Sequence, residues 1–318
     1  MSKYLKLEIL LPGVADLNVN GIRMVHPIEG TYHRIAVYFR YTKPRVWILL
    51  VYTAAIGSVV AVSAFDFQSL MLILLAVVAT ALGSAGSEAL TNFIDRDMDS
   101  VMSRTRNRPL PSGEIGTSKA VTLGFILIAA SILLLMAFQK FYAAAFMALG
   151  IFDNVIVYSY LLKRKTPWSI ILGGFSGGFP AVIGWYCITT QFSLIPWFLF
   201  ALVVAWIPIH VWSLAFRYRD DYTNAGVPML PVLYSKKVSA WCISGSAIIL
   251  AIFSIIPFIF GIQTVYYLLV VSILAVPMFA LSMSFIKYPD IKGSFRLFKY
   301  SSPYLAVVFT LFVIFRIF

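Results

Sequence analysis

Between Glu88 and Gly113 the chain reads EALTNFIDRDMDSVMSRTRNRPLPSG, gathering four carboxylates and four arginines in a protein of which only 12% is charged. At a helical pitch of about 100° per residue, Glu88, Asn92, Asp95 and Asp99 follow 4-3-4 spacing and share one face. Asp97 lies about 200° round from Asp95 and points elsewhere. Two aspartates one turn apart repel each other, and a hard divalent cation offsets that repulsion. Mg2+ suits the pattern because it takes one or two carboxylates and leaves its other positions to phosphate oxygens. Just beyond stand Arg104, Arg106 and Arg108, whose guanidinium groups match phosphate oxygens bidentately. The stretch reads as a magnesium–diphosphate site at the end of a membrane helix. A solvated loop whose charges only set topology would not need carboxylates aligned on one face.

A second acidic cluster, Asp220 and Asp221, lies in RYRDDYTNAGVPMLPV from Arg217 to Val232. Two such clusters at the same side of the membrane could clamp one metal-bound diphosphate. Lys163, in YSYLLKRKT from Tyr158 to Thr166, is the basic residue of that run placed near a phosphate; Arg164 and Lys165 read as topology anchors. His210 precedes Asp221 by eleven residues, which puts it on roughly the same face and about three turns deeper, a candidate acceptor-site residue. Asp153-Asn154 interrupts an apolar run and would either line a cavity or cap a helix break near the outer surface. The glycines from Gly173 to Gly178 carry overlapping GxxxG spacings, which permit close helix approach or leave room for a flat ligand. Cys187 and Cys242 have no CxxC partner, so neither a disulfide nor a zinc site is indicated.

These residues need elements to hold them, and the composition defines those elements. Hydrophobic residues make up 60% of the 318. Charge-free runs cover Val46–Phe65, Phe67–Ser87, Ala120–Gln139, Thr166–Phe216 and Val238–Ile286, the last two 51 and 49 residues long. A span needs about 20 apolar residues, so each of those two is a pair of spans. With Phe141–Leu162 and a segment near Ser301–Phe315, nine result: an all-α polytopic membrane protein. Of 25 Lys and Arg, 23 fall before the first span or in every second loop; only Lys140 and Arg316 lie opposite. The positive-inside rule then places the N-terminus and the candidate chemistry in the cytoplasm. That one-sided distribution argues against nucleic acid as the partner of the +12 charge. Residues 1–43 form a cytoplasmic segment without a removable signal peptide, and residues 44–318 the membrane domain.

NFIDRDMDSVMSRTRNRPL resembles the first aspartate-rich motif of the UbiA intramembrane prenyltransferases, usually NDxxDxxxD followed by RTxxRPL. Within them YTKPR, YxxxLKRKT, GGFSGGFPAVIGW, HVWSLAFR and DDYTNAGVPMLPV are similar to the protoheme IX farnesyltransferases, from about Tyr41 to Val232. Quinone-type relatives usually carry DxxxD in the last motif, whereas Ala225 stands four residues after Asp221 here. Thr91 replaces a usual Asn, and Ile209 a frequent Pro. The resemblance implies a UbiA-type nine-helix bundle in the cell membrane, with farnesyl diphosphate as donor, haem B as acceptor and Mg2+ as cofactor. It implies Asn92, Asp95, Asp99, Asp220 and Asp221 as metal ligands, with Arg104 and Arg108 taking up diphosphate charge. Lys163, Tyr158, Arg217 and His210 would bind substrate, and Lys43 and Arg45 would meet haem propionates. It leaves open a haem A synthase or terminal oxidase as assembly partner. The alternatives are a quinone precursor or lipid as acceptor, or a transporter with Asp153 and His210 as relay residues. A membrane scaffold would need neither the clustered acids nor the arginines.

Overall fold

The computed structural model describes residues 27–317, with side chains from residue 32 to 316; most of the segment 1–43, His26 included, lies outside them. The chain divides between Ala36 and Val37. Of the first part only the opening of α1 (Pro27–Tyr41) is described. The second holds α2 (Pro44–Ala61), α3 (Phe67–Ile94), α4 (Arg96–Val101), α5 (Thr117–Ala137) and α6 (Phe141–Phe152), which runs on as a π-helix, Asp153–Leu162. There follow α7 (Ser169–Leu172), α8 (Phe175–Ile188), α9 (Ile195–Arg217), α10 (Arg219–Asn224) and α11 (Leu230–Leu233). The chain ends with α12 (Lys236–Ile259), α13 (Val265–Lys287) and α14 (Ile291–Ile317). Among the described residues nine helical segments are long and apolar enough to cross a membrane, the number expected from the charge-free runs. The chain is an integral multi-pass membrane protein.

Local chemistry explains where the long runs break. Within Val238–Ile286, Gly261 takes the left-handed conformation, φ 67°, just past α12, where a side chain would be strained. Thr264 then caps α13, its hydroxyl accepting the Tyr267 N–H at 3.4 Å. Within Thr166–Phe216 the break falls at residues 189–194, where the hydroxyls of Thr189 and Ser193 accept the backbone N–H groups of Gln191 and Ile195. The last span is longer than its charge-free core: α14 begins at Ile291 and carries Lys292, Arg296 and Lys299 in its first turns. Those side chains can reach polar surroundings while the backbone stays helical, so counting charges shortens the span.

Among the described spans, Ser169–Ile188 is the most buried. Helix α8 packs on α2, α6 and α9, α3 on α5, and α9 on α12 and α14. A methyl at Gly184 would lie 2.0 Å from the Ala54 carbonyl oxygen, and one at Gly57 would lie 2.1 Å from that of Ala181. Helices α2 and α8 therefore touch backbone to backbone, as small residues allow in lipid. The Ser58 hydroxyl seals the crossing by donating to Gly184 O at 3.1 Å.

In the glycine run of Gly173–Gly178, Gly173 and Gly177 line a cavity and neighbouring side chains pack close. A methyl at Gly173 would strike Tyr158, and one at Gly178 would strike Phe200.

Candidate active site

Helix α3 ends at Ile94, and Asp95 sits between it and α4 with φ −87° and ψ 0°. The hydrogen bonds nonetheless run through: Asp95 N donates to Thr91 O at 2.9 Å and Asp99 N to Asp95 O at 2.8 Å. One face therefore continues across the junction. Asn92, Asp95 and Asp99 are buried, at 4%, 2% and 3% exposure. Asp97 points outward, its side chain 64% exposed, and pairs with Arg164 at 2.6 Å.

Asp95 and Asp99 border a cavity of about 610 Å3 enclosed by α2, α3, α6, the π-helix, α8, α9 and α14. At its polar end Lys163 donates to Asp95 at 2.5 Å and Arg108 to Asp99 at 2.6 Å. Lys43 pairs with Glu88 at 2.9 Å and lies 3.5 Å from the Thr91 hydroxyl. Lys43 takes a left-handed backbone, φ 53°, costly for a non-glycine residue. Thr91, the departure from the usual Asn, is thus part of the Lys43–Glu88 network. Arg104 and Arg45 also line the cavity, both exposed.

The π-helix packs beside α3, with Asn154 Nδ2 donating to Ser87 Oγ at 2.9 Å, and supplies the adjoining wall. Its i→i+5 bonding, seen where Lys163 N donates to Tyr158 O at 2.8 Å, widens the turn and is frequent at functional sites. It brings Asn154, Tyr158 and Ser159 to the cavity. Lys163 lies 5.4 Å from the centre of the Tyr158 ring. Burial favours loss of the Lys163 proton, but the Asp95 carboxylate outweighs it and raises the lysine pKa. Asp153 does not line the cavity. It accepts the Ser176 N–H at 2.7 Å, one of the N–H groups that the first turn of α8 leaves without a helical partner.

The second acidic cluster is arranged differently from a clamp. Asp221 accepts the Ser103 hydroxyl at 2.7 Å and the Arg104 N–H at 3.3 Å. Its burial is outweighed by these donors, led by Ser103, which hold its pKa down. Asp221 thus braces the loop after α4, while Asp220 is exposed and, like Arg217, is not part of the cavity wall. Among the described residues no three His, Cys, Asp or Glu side chains gather as a metal group.

His210 does line the cavity, its ring between Trp206 and Phe298 with centres 4.4 and 4.3 Å away. Its Nδ1 lies 3.2 Å from the Ser302 hydroxyl. Several wall residues carry no individual signal in the sequence analysis, Trp206, Tyr222 and Ser302 among them. Tyr222 adjoins Asp221 in the second motif, which was a signal; Ser302 lies in a span that carried none.

Asn92 Oδ1 and Asp95 Oδ1 are buried oxygens without a hydrogen-bond partner, and Asn92 Nδ2 is committed to Tyr41 O at 2.6 Å. Asp95 lines the cavity and Asn92 does not; a hard carboxylate oxygen left free at the cavity fits Mg2+.

Asp97→Asn should leave turnover within about twofold and lower stability by no more than about 1 kcal/mol, the scale of an exposed ion pair. Arg164 holds the Asp97 pKa at about 2, below the ordinary value of about 3.9. Its contribution is therefore present above about pH 4 and lost as pH falls through about 2. Loss of turnover matching that of an Asp95 variant would show that the helical register is wrong.

Among the described residues, nine apolar helices and a cavity with acid–base pairs at one end suit a ligand with an anionic head and a long apolar tail. Residues 50–308 match the UbiA prenyltransferase family, and the chain belongs to that family. Protoheme IX farnesyltransferase of Thermoplasma volcanium is 57% identical over 283 residues, covering 89% of this chain and 98% of that protein. Among solved structures, a digeranylgeranylglyceryl phosphate synthase superposes with TM-score 0.74 at 20% identity, covering 90% of this chain and 99% of that one. A UbiA homologue of Archaeoglobus fulgidus bound to GPP and Mg2+ gives 0.58 at 16% identity, covering 87% and 99%. At those identities the likeness is one of fold.

Proposed function

We propose that this chain transfers the farnesyl group of farnesyl diphosphate to a vinyl group of haem B with addition of water, giving haem O and diphosphate. The observation that carries the reading is one cavity with two carboxylate–cation pairs at its polar end and His210, flanked by flat rings, on its apolar wall. The name of the Thermoplasma relative supports both donor and acceptor. The cavity's polar end faces the cytoplasm in this reading, residues 1–43 are a cytoplasmic segment, and the bilayer is the cell membrane.

Asp95 and Asp99 would hold Mg2+; when bound, the ion supplies Lewis-acid stabilisation to the departing diphosphate. The Mg2+-bound relative of the same fold supports that role. Lys163 and Arg108 are already oriented at this end by Asp95 and Asp99. They can turn their donors to phosphate oxygens, with Arg104 beside them, as preorganised charge. The electron pair of the allylic C1–O bond leaves with the diphosphate. The vinyl π pair then forms the new bond to C1, and water captures the cation left beside the porphyrin ring and loses a proton. Apolar walls keep other water from quenching the allylic cation.

The test is turnover of the purified protein in detergent with farnesyl diphosphate, haem B and Mg2+, read as product mass. A haem heavier by one farnesyl group plus water, lost with EDTA and restored by Mg2+, is expected. Unchanged haem with Mg2+-dependent diphosphate binding would move the acceptor to a quinone precursor or a lipid.

A further inference from the structure

Two basic side chains outside the cavity share one aromatic ring. The Arg217 guanidinium carbon, at the end of α9, lies 3.9 Å from the centre of the Phe295 ring, and the Lys299 ammonium lies 4.8 Å from the same centre. Both are exposed, and among the described residues neither forms an ion pair with a carboxylate. From Phe295 a row of rings leads inward. Phe298 stacks on it at 5.5 Å and 8°, His210 follows at 4.3 Å, and Trp206 at 4.4 Å. His210 and Trp206 are cavity wall, and the buried Trp206 indole N–H has no hydrogen-bond partner.

Snorkelling towards lipid headgroups accounts for an arginine and a lysine at helix ends. It does not account for four rings in a row between those cations and the cavity. A flat apolar ligand with carboxylates at one edge would use both features, the edges of the stacked rings against its face and the cations for its charge.

We propose that Arg217 and Lys299 form the subsite for the two carboxylates of the porphyrin acceptor, with the Phe298–His210–Trp206 row along its macrocycle. The inference rests on the haem reading above. It moves the carboxylates away from Lys43, which already has Glu88 as partner, and from Arg45.

The experiment titrates haem B and its dimethyl ester, in which the carboxylates are masked, into the detergent-solubilised protein by absorbance. Wild type should bind haem about tenfold more tightly than the ester, the scale of charge-assisted hydrogen bonds at a partly exposed site. R217Q/K299Q should bind haem and ester alike, at the wild-type ester affinity, while its Kd for farnesyl diphosphate stays that of wild type and reports an intact bundle. Each single variant should fall between.

A double variant that still discriminates, or that binds haem as wild type does because the cations serve lipid headgroups only, overturns the subsite. So does a wild type that binds haem and ester alike, with the haem reading left standing. A wild type that holds farnesyl diphosphate but neither porphyrin overturns the haem reading and the subsite with it.

Discussion

Asp95→Ala is expected to lower turnover by at least about two orders of magnitude, the scale of removing one key electrostatic group from a site. Asp95 is 2% exposed, faces Lys163 and carries a second oxygen with no partner. No other carboxylate stands where it does. The substitution also takes from the half-buried Lys163 its ion-pair partner, which lowers stability, so low turnover alone could be unfolding. Asp95→Ala/Lys163→Met removes both charges and should recover much of the thermal stability but none of the turnover. Near-normal turnover in either variant, with thermal unfolding in detergent as the check on folding, would remove Asp95 from the site.

The second large effect concerns a residue that is not itself part of the cavity wall. Gly184→Ala is expected to cost more than about 3 kcal/mol, beyond the usual range for overpacking. Its methyl would sit 2.0 Å from Ala54 O and 2.8 Å from Ser58 N, both backbone atoms of α2. No side chain can swing aside, so the helices must part. Helix α2 follows directly on Lys43 and carries Arg45, and both it and α8 form cavity wall. Gly245→Ala in α12 is the control, since nothing lies within 4 Å of its added methyl; it should be neutral or stabilising by up to about 1 kcal/mol. Equal thermal midpoints for the two variants would mean that the α2–α8 contact is looser than described.

The close approach had a signal that the sequence reading stopped short of. Gly173, Gly177, Ala181 and Gly184 continue a small-residue stripe along one helix face, but the reading ended at Gly178. The partner Gly57, 127 positions earlier in the chain, has no local pattern to identify it. The π-helix was hidden for a related reason. Asp153-Asn154 announced a polar break inside a span, yet residue types do not distinguish an α-turn from a widened one.

Periodicity and charge determined what is local or additive: the spans, the shared face of Asn92, Asp95 and Asp99, and the outward direction of Asp97. A face follows from helical pitch alone, and a span from how many apolar residues must fill the bilayer. Only the tertiary structure decided which charges meet. It gave Lys163 to Asp95, Arg108 to Asp99 and Lys43 to Glu88, and turned Asp221 to the Ser103–Arg104 loop. Except for Arg108 with Asp99, nine residues apart, those pairings join segments 45 to 118 residues apart in the chain. Spacing along one chain carries no information about distance across the bundle.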